Sequence, residues 1–167
     1  FDLGKMHLCG LFPKNINLKI PILPLNMKIC NNYKCQLVQL SHNYDLKKLF
    51  GQNYGYRSGL NPFMINHLKD IYKFSLNLIK KKNSNINILD IGSNDGTLLN
   101  FFSKKINKYA VDPTINGFKR FYKKDIKKLP QLFNSHTSNY FIKKKLKFDL
   151  IFTIAMFYDL PDPNEFI

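Results

Sequence analysis

The chain has 167 residues, 44% of them apolar, and its 26 basic and 11 acidic residues give a formal net charge of +15 at pH 7. This length and apolar content fit one modest domain, or part of a larger domain with a small appendage, and argue against a disordered chain. The apolar runs are shorter than the roughly 20 residues that a membrane span needs. The positive charge is mostly lysine spread along the chain, so we interpret it as solvated surface and do not expect nucleic acid as a partner.

The cysteines and the two ends of the sequence bear on its cellular setting. Three cysteines, an odd number, argue against a secreted disulfide framework. The first residues lack the basic and apolar regions of a signal peptide, so a cytoplasmic location fits best. The sequence has no starting Met and stops at residues 164–167, where a helix is expected to begin. We therefore expect a piece of a longer protein, truncated at both ends.

Residues 1–50 are expected to form a small, loop-rich and strand-poor module. Prolines at positions 13, 21 and 24 separate short apolar pieces. Residues 38–40 favour a short strand, and residues 45–50 favour a helical turn.

Residues 51–82 combine a Tyr-rich link with a helix. Apolar residues recur near the helical period from Pro62 to about Lys81. Asn61 is the predicted N-cap, and Pro62 occupies the first helical position. Residues 83–85 are expected to end this helix.

Residues 83–167 alternate between predicted strands and helices, which is typical of a parallel sheet with right-handed crossovers. The predicted strands cover residues 86–91, 109–111 and 148–157, and the predicted helices cover residues 97–104 and 117–122. The last strand is the most apolar run of the chain, so we expect it to be central in the sheet. Residues 125–147 fit no clear pattern. The predicted fold class is α/β, with the N-terminal half of a Rossmann-like sheet.

The segment from Asp90 to Gly96, with the sequence Asp-Ile-Gly-Ser-Asn-Asp-Gly, is a candidate cofactor loop. Gly92 and Gly96 remove side chains where a ligand must approach the backbone, and the helix that follows offers free N–H groups. A dinucleotide site would need glycine where Asn94 stands. S-adenosylmethionine (SAM) has no phosphate, and its amino and sulfonium groups suit a loop with Asp90, Asn94 and Asp95. The alternative is a tight strand–helix turn without a ligand.

Asp112 follows the next predicted strand, 22 residues beyond Asp90. A carboxylate about 20 residues beyond such a loop can bind ribose hydroxyls. The alternative is an Asp that caps the turn at Pro113, and Asp112 alone does not decide between the two. Together with the glycine loop, it favours ribose binding.

The sequence Gly-Ser-Asn-Asp-Gly-Thr-Leu-Leu at residues 92–99 resembles the cofactor loop of the SAM-dependent sugar C-methyltransferases, a family with an N-terminal zinc-binding module and a class I methyltransferase domain. Further segments resemble the family in the same order, namely residues 35–40, 54–61, 111–114 and 155–163. They are similar to the end of the zinc module, to the Tyr-rich link, and to the segments after the second and fourth strands. The likeness runs through most of the chain.

This resemblance implies a function, a cofactor and a set of site residues. SAM would lie against the loop and the neighbouring strand ends, at Asp90, Gly92, Ser93, Asn94, Asp95, Gly96, Asp112 and Ala155. Tyr54 and Tyr56 would lie near the small-molecule substrate, a nucleotide-linked ketosugar. The family's reaction forms an enolate that attacks the SAM methyl group, which requires a positioned base.

The sequence identifies no such base. We interpret His42, His67 and His136 as surface or packing residues. The sugar, the carbon that is methylated and the oligomeric state are also not defined by the sequence.

The resemblance also implies a structural zinc site, which this sequence matches only in part. The family's module resembles two C-x-x-C pairs, and Cys9 and Cys35 stand at the second position of each, whereas the first positions are not cysteine. Cys30 and His7 lie close enough in sequence to substitute at irregular spacing. Structural zinc needs a full tetrahedral ligand set, so Cys9, Cys30 and Cys35 are candidate ligands of an incomplete set.

Two other functions stay open. The positive charge would suit a methyltransferase that acts on RNA or on another substrate, although no base-binding motif is recognisable. A non-catalytic fragment or pseudoenzyme that acts only with a partner chain would expose the edge of a half-sheet. Concentration-dependent association without SAM binding would favour this last function.

Overall fold

The structure, a computed structural model, describes residues 1–13, 15–51, 54–79 and 85–167. These residues divide into two units, Phe1–Gly55 and Tyr56–Ile167. The helix end expected near Lys81 and the helix break expected at residues 83 and 84 lie outside the described residues. In the part of the chain that is described, no helix is both long and apolar enough to cross a membrane.

The first unit contains a three-stranded antiparallel sheet with the order β1-β2-β3. Its elements are β1 Asp2–His7, β2 Ile22–Ile29, β3 Val38–Leu40 and the short helix α1 Leu46–Leu49. The strand predicted at residues 38–40 and the helical turn at residues 45–50 are confirmed.

The prediction that the first unit is poor in strands is wrong, and Pro24 shows why the sequence was misleading. Proline usually interrupts a strand because it has no N–H to donate. Pro24 lies inside β2 and pairs with Lys5 of β1, whereas β3 pairs with β2 only at Met27–Ile29. Pro24 therefore stands where one side of β2 has no strand partner in the described sheet, a position at which a missing N–H is tolerated.

The second unit contains a parallel four-stranded sheet with the order β6-β5-β4-β7. Its strands are β4 Asn87–Ile91, β5 Asn107–Val111, β6 Ile126–Leu129 and β7 Leu150–Phe152. The chain proceeds outward from β4 to β6 and then returns to pair β7 with the other side of β4. A doubly wound, Rossmann-like sheet begins with this strand order. The predicted α/β class and parallel sheet are confirmed at this level.

The helices of the second unit are mostly short. They are α2 Pro62–Leu78, α3 Thr97–Phe101, α4 Ile115–Phe118, α5 Ser135–Lys143 and α6 Pro163–Phe166, with 3₁₀ turns at Ser58–Leu60, Lys119–Phe121 and Phe157–Asp159. The predicted start of α2 is confirmed, because the Asn61 side chain accepts a hydrogen bond from the Phe63 N–H at 2.9 Å. α3 is shorter than predicted, since the backbone is already extended at Phe102.

Two hydrophobic clusters cover the two faces of the parallel sheet. Ile88 packs in the cluster that contains residues of α2, α3 and α4, whereas Leu89 and Ile91 pack in the cluster that contains Phe141 of α5. Successive residues of a strand point to opposite faces, so β4 is buried on both sides. This burial explains the nearly continuous apolar run at residues 86–91.

β5 is longer than predicted because a buried lysine interrupts its apolar pattern. The strand begins at Asn107, and Lys108 is fully buried. Its Nζ donates to the carbonyl oxygens of Phe102 and Ser103 at 3.2 and 3.1 Å and to Asp125 at 2.5 Å. These partners satisfy the ammonium group, so a charged residue occupies a core strand.

β7 is shorter than predicted and lies at an edge of the described sheet, so the prediction of a long central strand at residues 148–157 is wrong. Ile151 is 58% exposed as a result. The unassigned residues 125–147 contain β6 and α5, and α4 with its 3₁₀ turn replaces the helix predicted at residues 117–122.

Candidate functional site

The strand order of the second unit reverses beside β4, which has β5 on one side and β7 on the other. In open parallel sheets, ligands bind outside the carboxyl ends of the strands at such a reversal. The predicted cofactor segment, residues 90–96, begins in the last two residues of β4 and continues into the loop after it. Asp112 follows β5 and Ala155 follows β7. The fold therefore brings to one sheet edge the segments that the sequence predicted to form a site.

The loop after β4 contains three residues with left-handed backbone conformations. Gly92, Asn94 and Gly96 have φ angles of 77°, 51° and 76°, which glycine adopts freely and asparagine more readily than most residues. A Cβ at Gly96 would overlap the Tyr122 ring, and a Cβ at Gly92 would lie 3.1 Å from Met156 Cγ. The group that comes close to Gly96 is therefore the Tyr122 ring, so glycine is required at this position even without a ligand.

Asp112 accepts hydrogen bonds at both of its carboxylate oxygens. Oδ1 accepts from the Thr114 N–H at 2.7 Å and from the Thr114 hydroxyl at 2.5 Å, and Oδ2 accepts from the Asn94 N–H at 2.8 Å. Burial raises the pKa of Asp112, and these hydrogen bonds from Thr114 and Asn94 oppose the rise. The turn cap that the sequence left open as the alternative role is therefore present, and Asp112 also joins the end of β5 to the loop after β4. Ribose binding by Asp112 stays a prediction.

Asp90 is the least satisfied polar group of this edge. It is only 3% exposed, and no hydrogen bond or ion pair from a described residue reaches its carboxylate. Burial, and secondarily the nearby Asp112, raise the pKa of Asp90 to about 8. Every fully buried side-chain polar atom of the described residues has a hydrogen-bond partner, so the Asp90 oxygens must keep a narrow access to solvent.

Asn94 uses its side chain within the protein. Its Oδ1 accepts from the Ser58 N–H at 2.8 Å, and its Nδ2 donates to the Tyr56 carbonyl oxygen at 3.0 Å. Asn94 therefore fastens the segment before α2 to the loop after β4. Direct contact between the Asn94 side chain and a cofactor stays a prediction.

Asp95 is 1% exposed and is also engaged within the protein. One oxygen accepts from the Gly59 N–H at 2.9 Å and lies 3.6 Å from Arg57 Nη1. The other accepts from the Thr97 N–H at 3.1 Å and the Thr97 hydroxyl at 2.6 Å. Asp95 thus fixes the start of α3 and the 3₁₀ turn before α2 at the same time.

Hydrogen bonds between Ser93, Tyr122 and the Asn94 backbone hold the loop after β4 in place. Their hydroxyl oxygens lie 2.8 Å apart, and the Tyr122 hydroxyl donates to the Asn94 carbonyl oxygen at 2.7 Å. Burial raises the pKa of Tyr122, with the Ser93 hydrogen bond opposing the rise, so the phenol stays a neutral donor. The Ser93 side chain is therefore held by the protein, while its backbone lies in the loop.

The segment after β7 meets the loop through Met156, whose side chain lies against Gly92. Ala155 is exposed and has a φ of 53°, a left-handed conformation that is uncommon for alanine. Contact of Ala155 with a cofactor stays a prediction.

The predicted substrate and metal residues are spread over both units. Tyr56 belongs to the second unit and is 40% exposed, and Tyr54 belongs to the first unit, where its ring makes an edge contact with Phe50 at 5.4 Å between centroids. Cys9 and Cys35 are exposed, Cys30 is half-buried and none forms a disulfide.

The cysteines do not form a metal site in the part of the chain that the structure describes. No group of three or more His, Cys, Asp or Glu side chains there is placed to hold a metal ion. As placed in the described structure, Cys9, Cys30 and Cys35 do not fit a tetrahedral zinc ion.

Sequence reasoning missed three residues that shape the site: Thr114, Tyr122 and Met156. Thr114 stands two residues after Asp112, a spacing at which a side-chain turn is common, so this contact could have been found. Tyr122 is separated from Asn94 by 28 residues, and no local pattern predicts such a contact.

No protein-family model matches the chain, and no curated protein matches it either. The family resemblance stays a prediction, and the geometry of the site bears on the binding of a ligand but not on the substrate class.

Proposed function

We propose that the second unit binds SAM at the carboxyl edge of its parallel sheet, and that the chain is the SAM-binding part of a methyltransferase acting on carbon of a nucleotide-linked ketosugar. The observation that carries this proposal is the buried carboxylate of Asp90, which has no protein partner in the described residues and stands beside Asp112. The substrate class comes from the sequence resemblance.

A cationic ligand would suit Asp90. A carboxylate that is 3% exposed and has no described partner loses most of its hydration, and the nearby carboxylate of Asp112 adds repulsion. The amino group of SAM is a cation that donates hydrogen bonds, so its approach would offset both costs. Asp90 would hold that amino group.

A ligand with hydroxyl groups would suit Asp112. An ionised carboxylate offers about four lone-pair positions, and hydrogen bonds from Thr114 and Asn94 occupy two on Oδ1 and one on Oδ2. Oδ2 keeps a further position for a ribose hydroxyl. Thr114 and Asn94 fix the carboxylate so that it is preorganised for such a contact.

The proposed reaction assigns different duties to the cofactor and to the chain. When bound, SAM supplies an electrophilic methyl group. The chain's own residues hold the cofactor through Asp90 and Asp112, shape the loop through Tyr122 and Asn94, and place the segment that contains Tyr56 beside it. We assign no residue as the base that would form the enolate.

A second function, action only together with a partner chain, is favoured by one observation. β7 lies at an edge of the described sheet with Ile151 58% exposed, and an open apolar edge can pair with another chain. Methylation of RNA has no comparable support from the described residues.

Isothermal titration of SAM, and of its demethylated product, into the chain tests the proposal. Asp90→Asn should weaken SAM binding about tenfold or more, because a charge-assisted hydrogen bond is lost. The matched control is Asp70→Asn, which removes an exposed carboxylate whose partner is Lys73 at 3.0 Å. Asp112→Ala should weaken both ligands. A folded wild-type chain that binds neither ligand would refute the proposal and favour the partner-chain function.

A further inference from the structure

The two arginines of the chain, among 26 basic residues, stack on the same ring. The guanidinium carbon of Arg57 lies 3.8 Å from the centroid of Phe121, and that of Arg120 lies 4.8 Å from it. Lysine dominates everywhere else, so the presence of both arginines on one ring singles out this position. Arginine presents a planar fork of donors that matches phosphate oxygens, which lysine does not.

Neither guanidinium donates a hydrogen bond to a described residue. The side chain of Arg57 is only 18% exposed, and its nearest acid, Asp95, is 3.6 Å from Nη1, which is beyond hydrogen-bond length. Arg120 is exposed and has no ion pair with a described residue. Stacking on Phe121 holds both groups in place while their N–H donors stay available to a ligand.

The charge of the segment that contains Arg120 favours an anion. Residues 119–128 contain Arg120 and five lysines but a single acid, Asp125, whose carboxylate is already bonded to Lys108. Burial lowers the pKa of Lys128, and the neighbouring charge of Lys119 lowers it further. The repulsion between these cations would be relieved by a bound anion.

Arg57 and Phe121 are next in sequence to residues that hydrogen-bond to the cofactor loop. Arg57 stands between Tyr56 and Ser58, whose backbone groups both bond to the Asn94 side chain. Phe121 precedes Tyr122, which bonds to the loop at the Asn94 carbonyl oxygen. A ligand that reaches Phe121 would therefore lie next to the cofactor loop.

We infer that Arg57 and Arg120, stacked on Phe121, form a subsite for the diphosphate group of a nucleotide-linked substrate. The identity of that substrate rests on the proposed function, whereas the binding of a diphosphate rests on the arginines alone. The guanidinium forks bind the phosphate oxygens, and Phe121 fixes their orientation.

The test is isothermal titration of inorganic pyrophosphate and of uridine diphosphate into the full chain at fixed, physiological ionic strength. Arg120→Gln and Arg57→Gln should each weaken binding of both probes about tenfold. The matched control is Lys124→Gln, which removes one positive charge from an exposed side chain in the same segment and should change the affinity less than about twofold. Circular dichroism shows whether each variant is folded. Because Arg57 also lies near Asp95, Arg57→Lys provides a second variant that keeps the charge and loses the fork.

Several outcomes separate this inference from the proposed function. Equal losses in Arg120→Gln and Lys124→Gln would mean a diffuse positive field and would overturn the inference. Wild-type chain that binds SAM but not pyrophosphate would also overturn it, with the proposed function intact. Selective pyrophosphate binding without SAM binding would support the subsite and reject the cofactor. Single-stranded RNA that binds more tightly than either probe, with equal sensitivity to all three glutamine variants, would overturn it in favour of a nucleic-acid surface.

Discussion

At the scale of single residues, the site contains a conflict between stability and binding. Asp90 is buried without a described partner and close to a second acid. Burial of such a group lowers the stability of the folded chain, and no contact with a described residue offsets this loss. A cationic ligand would offset it, which is why Asp90 is the residue whose substitution separates folding from function.

Asp90 should make the free energy of unfolding depend on pH. Its pKa rises from 3.8 in the unfolded reference to about 8 in the folded chain, so the folded chain holds a proton that the unfolded chain releases. Stability contributed by this proton is present below about pH 4 and is lost as the pH rises toward 8. Each pKa unit corresponds to roughly 1.4 kcal/mol, so the loss is several kcal/mol at most.

Urea unfolding at about pH 5 and about pH 8.5 measures this loss. Asp90→Asn cannot ionise, so its free energy of unfolding should fall less between the two conditions, and it should exceed that of the wild type at the higher pH. The exposed acids contribute equally to both chains, so the difference reports Asp90 together with its electrostatic coupling to Asp112. Parallel pH profiles for the two chains would show that Asp90 keeps an ordinary pKa.

At the scale of elements, the loop after β4 and the segment before α2 are joined by side chains rather than by a strand pairing. Asn94 bonds to Tyr56 and Ser58, and Asp95 bonds to Gly59. These contacts explain the polar character of the loop without a ligand, although the sequence alone favoured direct contact with SAM. Asn94 and Asp95 would then act by positioning their neighbours.

Hydrogen exchange should detect the bond between Asn94 and Ser58. Asn94→Gly removes the side chain and avoids strain at a φ of 51°, so the Ser58 amide should exchange about tenfold faster, a change equivalent to roughly 1.4 kcal/mol. Asn94→Asp keeps the acceptor for Ser58 but loses the donor to the Tyr56 carbonyl, so Ser58 should stay more protected than in the glycine variant. The amide of Ala110 in β5 is the internal reference. Unchanged exchange at Ser58 in both variants would mean that this bond does not hold the segment.

The sequence predicts the elements whose pattern is local. The buried run of β4, the capped start of α2 and the turn rich in glycine can be read directly, because periodicity and capping residues lie within a few positions of one another. The predicted length of β5 was too short, because the partners that let Lys108 be buried, Phe102 and Asp125, lie several residues away from it along the chain. The position of β7 at the edge depends on strand order, which local pattern does not encode.

The candidate site shows the same division. The positions of Asp90 and Asp112 at neighbouring strand ends follow from the alternation of strands and helices, and the parallel register of β4 and β5 agrees with it. The support that Tyr122 gives to the loop and the stacking of both arginines on Phe121 are tertiary contacts. A single sequence has no local signal for them.

At the scale of the whole molecule, the two units differ in how much apolar surface they bury. Both hydrophobic clusters consist of residues of the second unit. In the described part of the first unit, Leu8 is the one buried apolar residue, while Phe1, Phe12 and Ile16 are 78%, 62% and 98% exposed. Burial of apolar surface is the main source of folding stability, so the units should differ in their ability to fold alone.

Separate expression of residues 56–167 and of residues 1–55 tests this difference. The fragment of residues 56–167 should unfold cooperatively in urea and keep the SAM affinity of the whole chain, because Asp90, Asp112 and both clusters lie inside it. The fragment of residues 1–55 should show no cooperative transition, since small domains without a sufficient core need a metal, a disulfide or a partner. Addition of Zn²⁺ to residues 1–55 gives the sharpest contrast. A cooperative transition that depends on zinc and is lost in Cys30→Ser would mean that the cysteines rearrange into a set of zinc ligands. Cooperative unfolding of residues 1–55 without metal would contradict the prediction that this unit cannot fold alone.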